Sequence, residues 1–306
     1  MTTVGKPTAK RIAWPPLAVI APLLWLAVFF AFPFFLVLKL SFSHPALAMP
    51  PYAPKIDWSH GLQGIGDFLK ALSGVNYRRL TQDDLYLASY LSSLRFAAIG
   101  TAISLLIGYP IAYAMARCGP QARRLLLMAV ILPFWTSFLI RVYAWIGILK
   151  PEGLLNAALH AVGLPGINIL NTDGAVYVGL VYAYLPFMVL PLYAALERLD
   201  STLLEAAADL GASPTKAFWT VTVPLSLPGV AAGCLLCFIP MVGEFVIPDL
   251  LGGPSTLMIG KTIWTEFFSD RDWPSASAVA IILLVTLVVP ILLYQRQQAR
   301  ALEAQR

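Results

Sequence analysis

The chain of 306 residues and 33.3 kDa is 58% hydrophobic and only 12% charged, against about 45–50% and about 25% in a soluble domain. A globule of this size leaves too much surface exposed to hide that much apolar side chain, so a soluble fold is excluded and lipid must be part of the solvent. The formal charge of +5 would suit a nucleic acid as readily as a membrane surface, and the three cysteines and three histidines are too scattered for a disulfide framework or a metal cage.

A bilayer core needs roughly 20 apolar helical residues, and six segments reach that length, so the fold class is all-α, a polytopic membrane protein with six transmembrane helices. The first, Leu17–Leu38, follows Lys6, Lys10 and Arg11; its 22 residues exceed the roughly 7–15 of a signal-peptide core, which predicts an uncleaved anchor. The loop 39–95 comes next. Its stretch 45–54 is proline-rich and extended, Gly61, Gly64 and Gly66 are expected to break any early helix, and 83–93 is predicted helical with Asp83 or Asp84 at its N-terminus. This loop is either a connector over the helix ends or a docking surface for an extracytoplasmic partner.

The second span, Phe96–Ala116, leads through the basic loop 117–124 to the third, Leu125–Leu149, which carries Arg141. The fourth is Ala175–Leu196. The fifth, Gly229–Leu251, holds Glu244 and Asp249, and the sixth is Ala276–Tyr294. Within the fifth, Cys234 and Cys237 read as packing residues, and Gly229 and Gly233 allow close helix approach. Counting Lys and Arg places both termini in the cytoplasm: residues 1–16, 117–124, 197–228 and 295–306 carry 11 in 68 residues, the opposite side 9 in 106. The basic excess is therefore a topological signal, and no nucleic-acid partner follows from it.

The loop 197–228 is too long to be a connector. Ser201 is the expected N-cap of a helix, Gly211 its left-handed stop, and Ser213–Pro214 the start of a second helix that Pro224 ends, with Phe218 and Trp219 turned to a partner or to the bundle. No phosphate-binding loop is present, since the residue five places before Gly260-Lys261-Thr262 is Ser255, and no catalytic constellation is visible.

An ionisable residue inside a span is a functional candidate by default. At roughly 1.5 Å per residue, Arg141 lies about 24 Å and Glu244 about 22 Å from the cytoplasmic ends of their spans. Either the two form an ion pair joining the third and fifth spans, or Glu244 faces a pathway as an acidic station for a cation.

Glu205-Ala206-Ala207, Gly211 and Val221-x-Val223-Pro224 resemble, in residue type and spacing, the EAA loop of ABC importer permeases. The segments 132–149, 181–193, 238–260 and 271–282 are similar to the polyamine branch of that family, the PotH type of putrescine importers first and the PotB type of spermidine importers next. The resemblance implies an ABC importer type I (MetI-like) permease fold: residues 1–90 as tail, first helix and external loop, 91–297 as the permease domain with its coupling loop 197–228, and 298–306 as a cytoplasmic tail. It implies that Glu205, Ala206, Ala207, Asp209 and Gly211 seat in a groove of a separate ATPase. The expected partners are a second, PotI-like permease, two ATPase subunits, a periplasmic polyamine-binding protein and membrane lipid, in a bacterial inner membrane. This chain is expected to bind no cofactor and to be no enzyme, with ATP and Mg on the ATPase. The cargo that the resemblance implies is putrescine, alternatively spermidine or another cationic amine or an iron chelate. Glu244, Asp249, Trp135, Tyr143, Trp145 and Tyr184 are the candidate pathway residues, carboxylates and aromatic faces being what a string of ammonium groups would meet. A secondary transporter is the reading from another class; it would not need the loop 197–228 and would show more spans with internal repeats.

Overall fold

The computed structural model describes residues 17–55 and 61–304. Lys6, Lys10 and Arg11, which weigh in the orientation, and His60 lie outside them.

The first apolar segment is helical from end to end: α1 (Leu17–Leu26), a π-helical turn (Ala27–Ala31) and α2 (Phe32–Ser41). The wide turn precedes Pro33, whose ring would otherwise crowd the carbonyl four residues back. This helix stands off the bundle, with none of its apolar stretch buried within the chain, and α2 touches the body mainly through the last helix. A two-residue antiparallel ladder, β1 (His44–Pro45) with β2 (Tyr52–Ala53), follows, then α3 (Gly61–Ala71) and α4 (Val75–Gln82). The glycines at 64 and 66 do not break α3 as expected. They lie inside it, because Phe68 on the same helix is buried and tertiary burial outweighs the roughly 1 kcal/mol that each glycine costs. The α4 segment is tied to the end of α2: Asn76 Nδ2 donates to the carbonyls of Ser41 and Ser43 at 2.9 and 2.7 Å, and the Tyr77 hydroxyl donates to Ser41 Oγ at 2.7 Å.

Asp83 accepts from the Leu85 amide and opens α5 (Asp84–Arg117). After the extended Cys118, α6 (Pro120–Ile131) starts on its proline and runs through a 3₁₀ turn (Leu132–Trp135) to α7 (Phe138–Leu149) and α8 (Leu154–Ala161). The expected third span is thus not straight: Pro120–Trp135 and Phe138–Ala161 meet at 97°. Pro133 lacks an N–H, and the extended Thr136 satisfies the freed Pro133 carbonyl twice, through its amide at 3.3 Å and its hydroxyl at 2.8 Å. Such a break survives at membrane depth only when the backbone groups it frees find partners.

α9 (Asp173–Glu197) is followed by α10 (Thr202–Asp209), α11 (Pro214–Ala217), a π turn (Phe218–Thr222) and α12 (Val223–Val242). Pro224 therefore does not end the second short helix. The π turn before it, closed by the Val223 amide on the Phe218 carbonyl, relieves the proline clash, and Pro214–Val242 is one helical unit of 29 residues. The fifth span in turn stops at Gly243. After a break, the short α13 (Val246–Leu251) and α14 (Ile259–Trp264), a π turn (Thr265–Ser269) and α15 (Trp273–Ala304) complete the chain. Among the described residues four helices are long and apolar enough to cross a membrane, the bent pair is a fifth unit, and Trp273–Val289 is a shorter apolar helix.

The core lies between α5, α9 and α12, with Phe96, Met115, Leu180, Met188, Leu192 and Met241 fully buried. The close approach of α9 and α12 is set at Gly229 and Gly233. A Cβ at 229 would lie 2.5 Å from Ala195 Cβ and 3.0 Å from the Pro191 carbonyl, and one at 233 2.8 Å from Met188 Sδ. Gly229→Val should therefore cost about 1–3 kcal/mol by overpacking, read as a lower Tm of the detergent-purified chain; an unchanged Tm would show that α12 packs elsewhere.

Candidate functional site

Two features of this bundle carry chemistry: the break after α12 and the segment between α9 and α12.

At the break the chain leaves helical geometry from Gly243 to Phe245, which strips the next amides of partners. Glu244 supplies them from its own side chain. Its Oε1 accepts from the amides of Phe245, Val246 and Ile247 at 3.1, 3.0 and 3.5 Å, and its Oε2 accepts from the Tyr184 hydroxyl of α9 at 2.5 Å. The residue is 8% exposed. Three amides, the positive end of α13 and a phenol together offset the cost of a charge in apolar surroundings. The junction is clamped by α14: a Cβ at Gly260 would overlap the carbonyl oxygens of Gly243 and Glu244, and the Ile259 amide donates to Ser93 Oγ of α5 at 2.7 Å. Cys237, buried one turn before Met241, donates its thiol to the Tyr184 carbonyl at 3.3 Å, so the cysteine pair packs as expected.

Aromatic rings flank the junction. Phe245 stacks on Trp264 at 4.5 Å, and Tyr184 is followed by Phe187 at 6.1 Å, which meets Phe134 edge-on at 5.2 Å. Phe134 and Phe187 are both 38% exposed. Tyr184 is thus brought to Glu244, while the other aromatic candidates are not: Trp135 and Tyr143 lie on the surface at 81% and 58% exposure, and Trp145 packs edge-on against Tyr182 at 5.3 Å. Asp249 is held by Lys261 at 3.4 Å. Lys261, Phe134 and Phe187 went unrecognised in the sequence; the three-residue spacing from Tyr184 to Phe187 is the signal that pointed to one of them.

The proposed Arg141–Glu244 ion pair does not form. The 97° bend places α7 so that the Arg141 guanidinium lies over the rings of Phe134 and Phe138, at 5.3 and 5.7 Å. Its Nε and Nη1 are buried without a hydrogen-bond partner among the described residues. Glu244 meanwhile has both oxygens occupied.

The second feature is the helix-turn-helix between α9 and α12. Asp200, not Ser201, caps α10: its Oδ1 accepts from the Thr202 amide at 3.0 Å, and this bond holds the Asp200 carboxyl below the usual carboxylate range. The Ser201 backbone is already helical, so its hydroxyl is not aimed at the amides. Gly211 adopts φ +78° and closes α10 in a Schellman turn, with the Ala212 amide on the Ala207 carbonyl at 2.9 Å and the Gly211 amide on that of Ala208 at 2.8 Å. Ser213 caps α11 through the Lys216 amide. No residue of α10 is buried; Glu205, Ala206 and Asp209 are exposed and Ala207 is half-buried. Phe218 packs edge-on against Tyr109 and Tyr113 of α5 at 5.8 and 5.4 Å, whereas Trp219 is 63% exposed. One ring anchors the segment and the other is exposed.

Comparison with known proteins follows this geometry. The profile of the family described as "Binding-protein-dependent transport system inner membrane component" matches residues 104–301. The spermidine/putrescine transport system permease protein PotB of Haemophilus influenzae is 48% identical over 223 residues, covering 72% of this chain and 78% of the relative. PotB of Escherichia coli is 45% identical, covering 72% and 81%. A chain in the crystal structure of a bacterial alginate ABC transporter, in complex with an alginate-bound periplasmic protein, superposes with a TM-score of 0.69 at 16% identity over 93% of both chains, a likeness of fold. The relatives thus carry the PotB name and not the PotH type expected. The expectation of the PotH type rests on the segments 132–149, 181–193, 238–260 and 271–282; the family it implied stands, and the member differs.

Removing the phenol of Tyr184 leaves Glu244 Oε2 buried and unpaired. Tyr184→Phe should destabilise the protein by about 1–3 kcal/mol, measured as the Tm of the purified chain; no change would mean that water, not Tyr184, serves this oxygen.

Proposed function

We propose that this chain, which belongs to the family of binding-protein-dependent transport system inner membrane components, is the permease subunit of an ATP-driven importer of polyamines. The observation that carries the reading is α10: a helix with no buried residue, closed by a left-handed glycine, and joined through α11 without interruption to a long membrane helix. Such an element has no reason to be built rigidly unless something seats on it. Glu205, Ala206, Ala207, Asp209 and Gly211 are its contact residues for an ATPase subunit, on which ATP and Mg are bound. The remaining partners are a second, PotI-like permease, a second ATPase and a periplasmic binding protein, with both termini of this chain in the cytoplasm of a bacterium.

Nucleotide-driven closure of two ATPases would draw two such helices together, a rigid-body movement of the kind that underlies domain closure. Pro214–Val242 runs from this contact to the Glu244 junction as a single unit, so displacement at one end moves the other. The names of the relatives, which transport spermidine and putrescine, support a polyamine cargo. Glu244, with the exposed rings of Phe187 and Phe134 beside it, is the membrane station for its ammonium groups once the Tyr184 hydroxyl yields Oε2, and Asp249 with Lys261 lies next along the path. Putrescine is the preferred cargo, with spermidine as the alternative.

Uptake of labelled putrescine and spermidine by proteoliposomes holding the whole importer tests the reading, and uptake of neither would overturn it. In that preparation Glu244→Gln, which keeps an acceptor for the α13 amides but removes the charge, should lower uptake at least tenfold with assembly and basal ATP hydrolysis intact. Wild-type uptake by this variant would take Glu244 out of the pathway. Gly211→Val forces a branched side chain into φ +78° and should uncouple ATP hydrolysis from uptake at least tenfold, without loss of the folded permease.

A further inference from the structure

Arg141 is a charge without a counter-charge. It stands in an apolar run, residues 125–149, that holds no other Asp, Glu, Lys or Arg, and among the described residues no carboxylate is paired with it. The carboxylates of the neighbouring junction are taken, Glu244 by three amides and the Tyr184 hydroxyl and Asp249 by Lys261. The rings of Phe134 and Phe138 shield the guanidinium, but a ring gives an N–H far less than a carboxylate oxygen does.

The position of Arg141 on α7 decides where an anion can arrive. Val142 and Leu149 are buried on the side that packs against α13 and α9, and Ile140 and Tyr143 are exposed on the other. Arg141 is half-buried between them. Its Nε and Nη1 are enclosed; Nη2, also without an acceptor among the described residues, is the nitrogen that is not enclosed. A charge inside a span is normally paired with an acidic group, and here the open approach leads out of the chain, beside an exposed apolar face.

Phe134 ties this edge to the Glu244 junction. The ring that shields Arg141 meets Phe187 edge-on at 5.2 Å, and Phe187 lies beside Tyr184, which holds Glu244. An unneutralised guanidinium beside that aromatic row would repel an ammonium cargo. Lipid closing the row would offer the cargo no polar group, whereas a protein wall bearing a carboxylate both neutralises Arg141 and closes the path.

We propose that Arg141 is a docking contact for the second permease, one of whose membrane helices sets an Asp or Glu carboxylate against Nη2 and packs on Ile140 and Tyr143. The proposal rests on the reading of this chain as one of two permeases in a polyamine importer, and adds where on α7 the second one seats.

The test is photo-crosslinking of the whole importer in lipid nanodiscs, with p-benzoylphenylalanine in place of Ile140 and the product mapped by mass spectrometry. The expected crosslink joins this chain to the second permease within about two helical turns of an Asp or Glu. Arg141→Glu should lower the recovery of the second permease with this chain about tenfold or more, the scale of loss when a shielded charge pair is broken. Reversing the mapped carboxylate to Arg in that background should restore it. If Arg141→Glu yields no folded chain, Arg141→Gln is combined with the matching amide at the mapped carboxylate; the double variant should lose less than the two single losses together. A crosslink to lipid alone, to a second copy of this chain or to a segment without a carboxylate would overturn the contact. Failed restoration, or additive losses, would overturn it as well. Uptake of labelled polyamine by the wild-type importer is measured alongside: its absence sinks the import reading, and a wild-type importer without a second permease sinks the two-permease reading and this contact with it. In an importer that holds both permeases and transports, a negative crosslink removes the contact alone.

Discussion

A backbone that leaves helical geometry inside a bilayer must find a partner for every amide it frees, because lipid offers none. The chain meets this constraint at Glu244 with a single side chain, whose Oε1 takes three successive amides while Oε2 is fixed by Tyr184. Much of the surrounding architecture follows from that arrangement. α13 can start where it does because its first turn is capped, Ile247 and Leu251 can then be fully buried, and α14 can cross the break closely because residue 260 is glycine. The bend at Pro133 is met by a smaller version of the same solution, with Thr136 in place of Glu244.

The ends of α12 are therefore unlike in kind. One end grows out of an exposed, sharply capped helix-turn-helix; the other stops at a buried charged junction. Between them the helix is packed along α9 at Gly229 and Gly233 and runs on through Pro228 and Pro240. A continuous helix of this kind would carry a displacement at the α10–α11 end, of the sort proposed above, toward Glu244.

Much of this was legible in the sequence where one local rule dominates. The long apolar runs became α5 and α9 with ends within a few residues of hydrophobic expectation, except where α5 extends outward to its Asp83 cap. Gly211 took the left-handed conformation that its place after a helical run demands, and Ser213–Pro214 opened a helix. The misreadings came where tertiary packing reversed a local rule. Proline was tolerated at 224 because a widened turn precedes it, glycines were tolerated in α3 because Phe68 is buried, and proline at 133 bent a span that hydropathy alone reads as straight. Comparing depths brought Arg141 and Glu244 to one level but carried no information on azimuth, and the bend turned Arg141 toward Phe134 instead. The capping role of Glu244 was invisible for the same reason, since it depends on a break that hydropathy passes over.

The π turn at Phe218–Thr222 has a consequence for how this segment can vary. It holds one residue more per turn than a regular helix, and each residue of helix turns the chain by about 100°. Deleting any one of the five would restore regular winding, press Pro224 against the carbonyl four residues back, and swing α10 and α11 by about that angle about the axis of α12. Exchange of side chains on the outer face of this segment leaves the geometry intact, whereas a change in its length does not. Chimeras that graft a foreign contact loop onto this scaffold should therefore be joined before residue 218 or after 224, with the count of residues between them preserved.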